Sequence, residues 1–184
     1  SRQYLEEQKE RMIPEYYAQN ILAEFVSLSD FFKVDHIAAM YDGVDHELNG
    51  EPVKGHEYVL GIDLGAMRDP TVCYVLDITA NLPKPLLVGL YEVKDGSWKS
   101  ARALANQVYR KYQPIYTAID ATGAGRPVSQ QLIEEDEFQH TEEFIFTATS
   151  KPDLMTRLQD RVQQAGIKFP YGPLTKELVA QMSF

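Results

Sequence analysis

The sequence has 184 residues, of which 44% are hydrophobic and 24% are charged, and its formal net charge is −9. This length suits one well-packed domain with an appendage, and the composition is that of a globular protein. No apolar run approaches the roughly 18 residues of a membrane span. The single cysteine, Cys73, excludes an internal disulfide and suits a reducing cytoplasm. The negative charge argues against a broad nucleic-acid-binding surface, although it does not exclude an enzyme whose metal site concentrates carboxylates.

Residues 1–57 are predicted to form a helical and linker segment that precedes the main fold. Residues 1–12 are charge-rich and helix-prone, and Pro14 suits the first turn of a second helix. A narrow apolar stripe on that second helix requires a packing partner and consists of Tyr17, Ile21 and Phe25. Residues 29–57 lack a period and are rich in turn residues, which predicts a linker. Its histidines lack the spacing of a metal site and are interpreted as solvated loop residues: His36, His46 and His56.

Residues 58–65 alternate between two faces, which predicts a strand that is buried on at least one side. One face is apolar and carries Tyr58, Leu60, Ile62 and Leu64. Asp63 lies on the other face, where an ionised carboxylate needs a partner, hydrogen bonds or a metal ion. Gly61 and Gly65 are expected to leave room beside this carboxylate for an ion or a ligand backbone. The alternative interpretation is a strand-end aspartate that caps the following turn.

Three further strands and a helix follow in order. Residues 71–78 and 86–93 alternate and are joined to the first strand and to each other by short turns, which predicts an antiparallel meander. Ser97 suits the N-cap of a helix that runs to about Lys111, and Pro114 prevents its continuation. Residues 115–120 form a fourth strand. Because a helical crossover leads to it, this strand is expected to lie parallel to an earlier one.

The fourth strand ends at a second carboxylate, Asp120, followed by a glycine-bearing turn and a helix that opens at Pro127. A fifth strand is predicted at residues 144–146. Ser150 and Asp153 match a capping box and predict a helix that stops at Gly166. A brief extended piece at 167–169 and a last helix at 174–182 complete the pattern.

This element order is that of an α/β, ribonuclease-H-like fold, with a mixed sheet of a three-strand antiparallel meander plus parallel strands, flanked by helices. In that arrangement the first and fourth strands are parallel neighbours, so Asp63 and Asp120 are expected side by side at one sheet edge. Two adjacent carboxylates stay ionised at low cost only if a cation lies between them. Oxygen ligands favour Mg²⁺ or Mn²⁺, and two such ions suit phosphodiester hydrolysis. The alternative for Asp120 is a turn-capping aspartate.

The motifs that carry a family resemblance are Gly61-Ile-Asp-Leu-Gly65 with Asp69-Pro-Thr71, Ala118-Ile-Asp-Ala-Thr-Gly-Ala-Gly125, Ser150-Lys-Pro-Asp-Leu-Met155, and Ile167-Lys-Phe-Pro170 with Leu174-Thr-Lys-Glu-Leu178. In this order they resemble the nuclease domain of the large terminase subunit of tailed bacteriophages. Residues 16–35 are similar to the chain that leaves that family's ATPase motor. The resemblance divides the chain into a segment 1–57, leading in from an ATPase domain, and a nuclease domain 58–184.

The resemblance implies a metal-dependent endonuclease that cuts concatemeric viral DNA during genome packaging, with two Mg²⁺ or Mn²⁺ ions held by acidic residues. Asp63 and Asp120 match the family's first two acidic positions, and Asp69 is an additional candidate ligand or a turn cap. The implied partners are double-stranded DNA, the ATPase domain of the same parent protein, the portal and the small terminase subunit, with no membrane. The implied location is the cytoplasm of the bacterial host, in a transient packaging motor.

Two departures from the family pattern qualify this expectation. The sequence contains no Walker A motif, so ATP hydrolysis by that route is not expected. The family's third acidic position follows the Leu-x-x-Glu-Leu helix, and the third ligand is therefore expected beyond Phe184. Glu177 lies on that helix, where packing or surface charge is the better interpretation. With two of three ligands, weak metal binding and low activity are expected.

Three basic residues are candidates for phosphate or DNA contacts. Lys151 lies at a predicted helix N-terminus, where partial positive charge favours anions. Arg68 and Arg126 flank the two aspartate turns. Solvated surface residues are the alternative for all three.

Two rival functions remain open from the sequence. Gly-Ile-Asp-Leu-Gly also begins the phosphate loop of actin-like and heat-shock ATPases, but Ala66-Met-Arg-Asp-Pro70 follows here in place of small hydroxyl residues. A nuclease-like domain that docks a portal or motor partner without cutting is the third possibility.

Overall fold

The computed structural model describes residues 32–41, 47–65, 69–79, 84–170 and 172. The predictions made for residues 1–31 and for the last helix at 174–182 lie outside these residues. The chain divides into two compact units. We call one the sheet unit, whose described residues are 47–65, 69–79, 84–146 and 168–170, and the other the helical unit, whose described residues are 32–41, 147–167 and 172. The domain boundary between residues 57 and 58 stays a prediction.

The sheet unit is built on five strands: β1 (Tyr58–Asp63), β2 (Thr71–Asp77), β3 (Leu86–Val93), β4 (Tyr116–Asp120) and β5 (Thr141–Phe144). Their order across the sheet is β3-β2-β1-β4-β5. The pairs β1/β2 and β2/β3 are antiparallel, whereas β1/β4 and β4/β5 are parallel. The predicted mixed sheet with a ribonuclease-H-like order is thereby confirmed. The fifth strand was predicted three residues too late, because the Phe144 to Phe146 run is more apolar than the strand itself.

Four helices are described: α1 (Val34–Met40), α2 (Trp98–Tyr112), α3 (Arg126–Glu134) and α4 (Ser150–Gln163). Helix α2 begins as predicted, because the Ser97 hydroxyl accepts a hydrogen bond from the Ser100 amide at 3.5 Å. It ends at Gln113, whose left-handed φ of 46° and the following Pro114 turn the chain into β4. A short 3-10 turn (Gly123–Gly125) connects β4 to α3.

The core of the sheet unit lies on one face of the sheet, between the strands and helices α2 and α3. Alternate residues of β1, β2 and β4 point into it, as the period-2 pattern predicts. The buried cluster consists of Tyr58, Leu60, Ile62, Leu64, Cys73, Val75, Val88, Ala101, Ala105, Val108, Tyr112, Ile119, Val128, Leu132 and Phe138. Asp63 and Asp120 lie on the opposite face, since their strand neighbours Ile62 and Ile119 belong to this cluster.

Residues 47–57, predicted as a linker, are hydrogen-bonded to the strands and helices of the sheet unit, of which they are part. The Asn49 side chain donates to Leu90 O at 3.0 Å and accepts from Leu90 N at 2.7 Å, so that it pairs with β3 as a strand would. The Lys111 ammonium donates to Asn49 O at 2.9 Å. The interpretation of His56 as a solvated loop residue was wrong, because its Nδ1 lies 2.6 Å from Asp77 Oδ2. His46 lies outside the described residues.

The helical unit contains α1 and α4, which contact each other. Helix α1 falls where no element was predicted, and its buried residues are Ile37 and Met40. His36 lies on this helix and is half-buried, so its interpretation as a loop residue was also wrong. The predicted N-cap Ser150 is already the first helical residue, and the Thr147 hydroxyl accepts from the Ser150 amide at 3.0 Å. Among the described residues, no helix has the length and apolar character that a membrane span requires.

The Asp77 pair generates a stability prediction. Burial of this carboxylate opposes its ionisation, but hydrogen bonds from Thr79 and His56 outweigh that effect and lower the pKa of Asp77 below its ordinary 3.8. We expect Asp77→Asn to lower the free energy of unfolding by about 1–3 kcal/mol at neutral pH. A depressed folded-state pKa stabilises above the unfolded-state value and stops doing so as the pH falls through the folded-state value. Urea unfolding at several pH values should therefore show the two proteins converging only below pH 3.8. A difference that persists undiminished at lower pH would contradict the assignment.

Candidate active site at the carboxyl ends of two parallel strands

Asp63 and Asp120 are the last residues of β1 and β4, and the parallel register pairs them directly. Residues paired in this way point to the same face, and neighbouring strands lie about 4.8 Å apart. Asp63 is exposed and Asp120 is half-buried. The convergence of the two aspartates that the element order predicted is therefore confirmed, whereas their role stays a prediction.

The loop after β1 is held by Thr71, which is 2% exposed. Its hydroxyl accepts a hydrogen bond from the Gly65 amide at 3.1 Å. A Cβ on Gly65 would lie 2.1 Å from Pro70 O and 2.3 Å from Asp69 O, so the backbone of these residues passes directly against the glycine. The absent side chain thus brings Asp69 close to the end of β1. Gly65 leaves no room for an ion, and that expectation was wrong.

The Asp120 carboxylate is oriented by the turn that follows it. Its Oδ1 accepts a hydrogen bond from the Thr122 amide at 2.8 Å, and the Thr122 hydroxyl accepts one from the Phe146 amide at 2.9 Å. The turn-capping interpretation of Asp120 is therefore correct for one oxygen. Among the described residues, Oδ2 accepts no hydrogen bond, so it is available to a ligand.

Asp63 makes no such bond with any described residue. The amide that a capping Asp63 would bind, Gly65 N, donates to Thr71 instead. Three effects raise the pKa of Asp63: partial burial against the sheet first, then the negative charges of Asp120 and Asp69. Asp120 and Asp69 are therefore each close enough to Asp63 to repel its charge, and Asp63 lacks a described donor that would offset this repulsion.

This arrangement fits a divalent cation in its chemistry but not in its number of ligands. Carboxylate oxygens are the ligands that Mg²⁺ and Mn²⁺ prefer, and a cation would relieve the repulsion between the aspartates. However, the described part of the chain contains no group of three or more His, Cys, Asp or Glu residues with the arrangement of a metal site. The described residues thus supply only part of a set of ligands, and the third acidic ligand stays a prediction.

Tyr74 lies beside the aspartates, and sequence reasoning missed it. It pairs with Gly61 across β1 and β2. A Cβ on Gly61 would lie 2.1 Å from Tyr74 Cζ and 2.5 Å from its hydroxyl, so the ring tip covers this glycine. The space that was expected to admit an ion is filled by the ring. Partial burial of the side chain against the sheet and then the charge of Asp63 raise the pKa of Tyr74. A glycine inside a strand indicates that another group approaches the backbone closely, but it does not reveal which group that is.

The positions of the predicted basic residues do not test their proposed contacts with phosphate. Arg126 is exposed and is the first residue of α3, directly after the turn that follows β4. Lys151 is exposed in the first turn of α4, within the helical unit. Arg68 lies outside the described residues. Their proposed contacts with phosphate therefore stay predictions.

No protein-family model matches this sequence, and no curated protein matches it. Solved structures are nevertheless similar. The large terminase nuclease from thermophilic phage G20c, solved with bound magnesium, superposes with a TM-score of 0.67 at 18% identity, covering 83% of this chain and 78% of that chain. The chain has the fold of a large terminase nuclease domain.

Two further structures extend this likeness across distant viruses. The large terminase nuclease domain of bacteriophage SPP1, solved with bound manganese, gives a TM-score of 0.52 at 14% identity, covering 77% of this chain and 78% of that chain. The human cytomegalovirus terminase nuclease domain, soaked with manganese and bound to an inhibitor, gives 0.54 at 11% identity, covering 83% and 84%. At such identities the likeness establishes the terminase nuclease fold alone. An activity has to be inferred from the side chains that this chain carries at the candidate site.

The two glycines of β1 and its loop generate a stability prediction within this fold. Gly65→Ala would place a methyl group against backbone oxygens, which cannot move independently, and we expect it to cost about 1–3 kcal/mol of unfolding free energy. Gly61→Ala meets only the end of the Tyr74 side chain, which can rotate away, so its cost should be clearly smaller. Urea unfolding of both variants measures this difference. Equal destabilisation would contradict the close backbone approach at Gly65.

Proposed function

We propose that this chain is the nuclease part of a large terminase subunit and cuts concatemeric viral DNA during genome packaging. The observation that supports this most directly is the register of β1 and β4, which pairs Asp63 with Asp120 on a terminase nuclease fold. Related structures of this fold were solved with magnesium or manganese. Phosphodiester hydrolysis is the reaction that paired carboxylates and divalent cations support.

Asp63 and Asp120 would hold the cation, and Asp69 is the additional candidate ligand. Mg²⁺ or Mn²⁺, as a pair of ions, would stabilise the negative charge that develops on the attacking and leaving oxygens. The Thr122 amide fixes the direction of the Asp120 carboxylate through Oδ1, which leaves Oδ2 for the metal side. The Thr71 hydroxyl holds the loop that carries Asp69 against the end of β1. These hydrogen bonds preorganise the site before the substrate binds.

The substrate and partners follow from the same proposal. Arg126, Arg68 and Lys151 would meet the DNA backbone, which carries the charge that dominates affinity. In a packaging motor the chain would work beside the ATPase domain of the same parent protein, the portal and the small terminase subunit, in the cytoplasm of the bacterial host.

A nicking assay tests the activity. With manganese, the chain should convert supercoiled plasmid to the open-circular form, and Asp63→Asn or Asp120→Asn should reduce the rate by more than about 100-fold. This estimate follows because even the outer partners of a metal ligand are worth 10- to 100-fold. Asp160→Asn, an exposed aspartate of α4, is the matched control and should cut as the parent does. Cutting that survives both site substitutions would contradict the proposal.

The incomplete set of ligands among the described residues supports one second candidate, a nuclease-like domain that docks a motor partner without cutting. The same assay separates the two. A well-folded parent chain that never nicks plasmid in manganese, at any protein concentration tested, would favour the docking function.

Metal binding can be measured without catalysis. Manganese at tenfold excess over its dissociation constant should stabilise the folded chain by about 1.4 kcal/mol, which raises the melting temperature by ~3–5 °C. The shift should disappear in Asp63→Asn. Without metal, this variant should melt no lower than the parent, because it removes repulsion between neighbouring carboxylates. A metal-dependent shift that is identical in Asp63→Asn would place the ion elsewhere.

A further inference from the structure

Three neighbouring strands, β2, β1 and β4, form the sheet surface beside the paired aspartates. Gly61 pairs with Tyr74 on β2 and with Ala118 on β4, and all three lie on the face that carries Asp63 and Asp120. Gly61 and Ala118 are small, so the only large side chain at this level of the three strands is Tyr74. Its ring crosses from β2 over Gly61 towards the middle of the sheet.

The Tyr74 hydroxyl lies over Gly61 but makes no hydrogen bond with any described residue. Among the described residues it has no hydrogen-bond partner, and 44% of the residue is exposed. Asp63 is close enough for its negative charge to act on the Tyr74 hydroxyl, but no hydrogen bond joins the two side chains. Side chains two residues apart on one strand face are about 6.6–6.8 Å apart. Because the Tyr74 ring tip lies over Gly61 and Asp63 is two residues further along β1, this spacing would admit a tetrahedral phosphate group, with one oxygen towards the hydroxyl and another towards the carboxylates.

We propose that the Tyr74 hydroxyl donates a hydrogen bond to a non-bridging oxygen of a DNA phosphodiester that is bound in front of Asp63 and Asp120. The inference rests on the proposed function and names a substrate-binding residue for it. A neutral donor suits this position, because a lysine or arginine there would pair with the carboxylates and compete with a cation. A contact to phosphate carries no sequence information, so it should serve every DNA sequence equally.

Gly61 is required for this position of the Tyr74 ring. Any side chain at this position would displace the ring, since its Cβ would overlap the ring tip. Tyr74→Phe removes the hydroxyl and leaves the ring in place, whereas Gly61→Ala leaves the hydroxyl and moves the ring. The two variants disturb one contact in different ways, and their effects should not be additive.

Tyr116 provides the matched control. It is a tyrosine of similar exposure, 39%, on the same sheet face, but it lies at the opposite end of β4 and its hydroxyl donates to Glu142. Tyr116→Phe therefore removes a hydroxyl from the same face without touching the aspartate end.

The experiment measures binding of the full chain to fluorescent DNA duplexes of two unrelated sequences, by anisotropy, with calcium in place of manganese and with gels to verify that the DNA stays intact. Tyr74→Phe should weaken binding by about tenfold for both sequences, as expected for loss of a hydrogen bond to a charged group. Gly61→Ala should cause a similar loss, the double variant should lose no more than either, and Tyr116→Phe should bind as the parent does. In manganese nicking assays, Tyr74→Phe should raise KM more than it lowers kcat.

Several results would overturn the inference. These are parental binding by Tyr74→Phe, an equal loss in Tyr116→Phe, a loss confined to one DNA sequence, or losses from Gly61→Ala and Tyr74→Phe that multiply in the double variant. Melting curves verify that each variant is folded. If the parent nicks DNA in an Asp63-dependent manner while Tyr74→Phe is unchanged, the inference alone fails. If the folded parent neither binds nor cuts DNA, the proposed function fails with it.

Discussion

The parallel pairing of β1 with β4 is the constraint on which the candidate site depends. One register satisfies both faces of these strands: it buries Ile62 beside Ile119 in the core and thereby sets Asp63 beside Asp120 on the other face. A slip by one residue would expose the apolar side chains and bury the carboxylates, so hydrophobic burial enforces the placement of the charges. The repulsion between two aspartates is small compared with the free energy that such a slip would cost.

The ends of the two strands are fixed by short-range polar contacts rather than by the core. The Thr71 hydroxyl binds the Gly65 amide after β1, and Asp120 binds the Thr122 amide after β4. Each contact satisfies a backbone donor that the strand end leaves unpaired. The two turns differ in consequence. The Thr122 amide occupies one oxygen of Asp120. The Gly65 amide, which Asp63 could otherwise have capped, donates to Thr71 instead, so that both oxygens of Asp63 are without a described donor.

Periodicity and chain punctuation predicted much of this fold because they act locally. Alternation located β1 to β4, Ser97 located the start of α2, and the helical crossover after β3 required a parallel strand, from which the meeting of Asp63 and Asp120 followed. Contacts between residues distant in sequence were not predictable in this way. His56 and Asp77 are 21 residues apart and meet only because β2 returns beside β1. The resemblance to terminase nucleases was confirmed for the fold, while the roles of the aspartates stay predictions.

The two glycines Gly61 and Gly65 show where sequence reasoning reaches its limit. Both lie on the aspartate face of one segment, and both signalled that something approaches the backbone closely. At Gly65 the neighbour is backbone, which the glycine locks against the end of β1 together with Asp69. At Gly61 the neighbour is the end of a tyrosine side chain, which can move. Gly65 therefore fixes the backbone around the site, whereas Gly61 makes room for a side chain that can change its rotamer when a ligand binds. The difference depends on which atoms the rest of the fold brings to each glycine, and a glycine in the sequence does not reveal that.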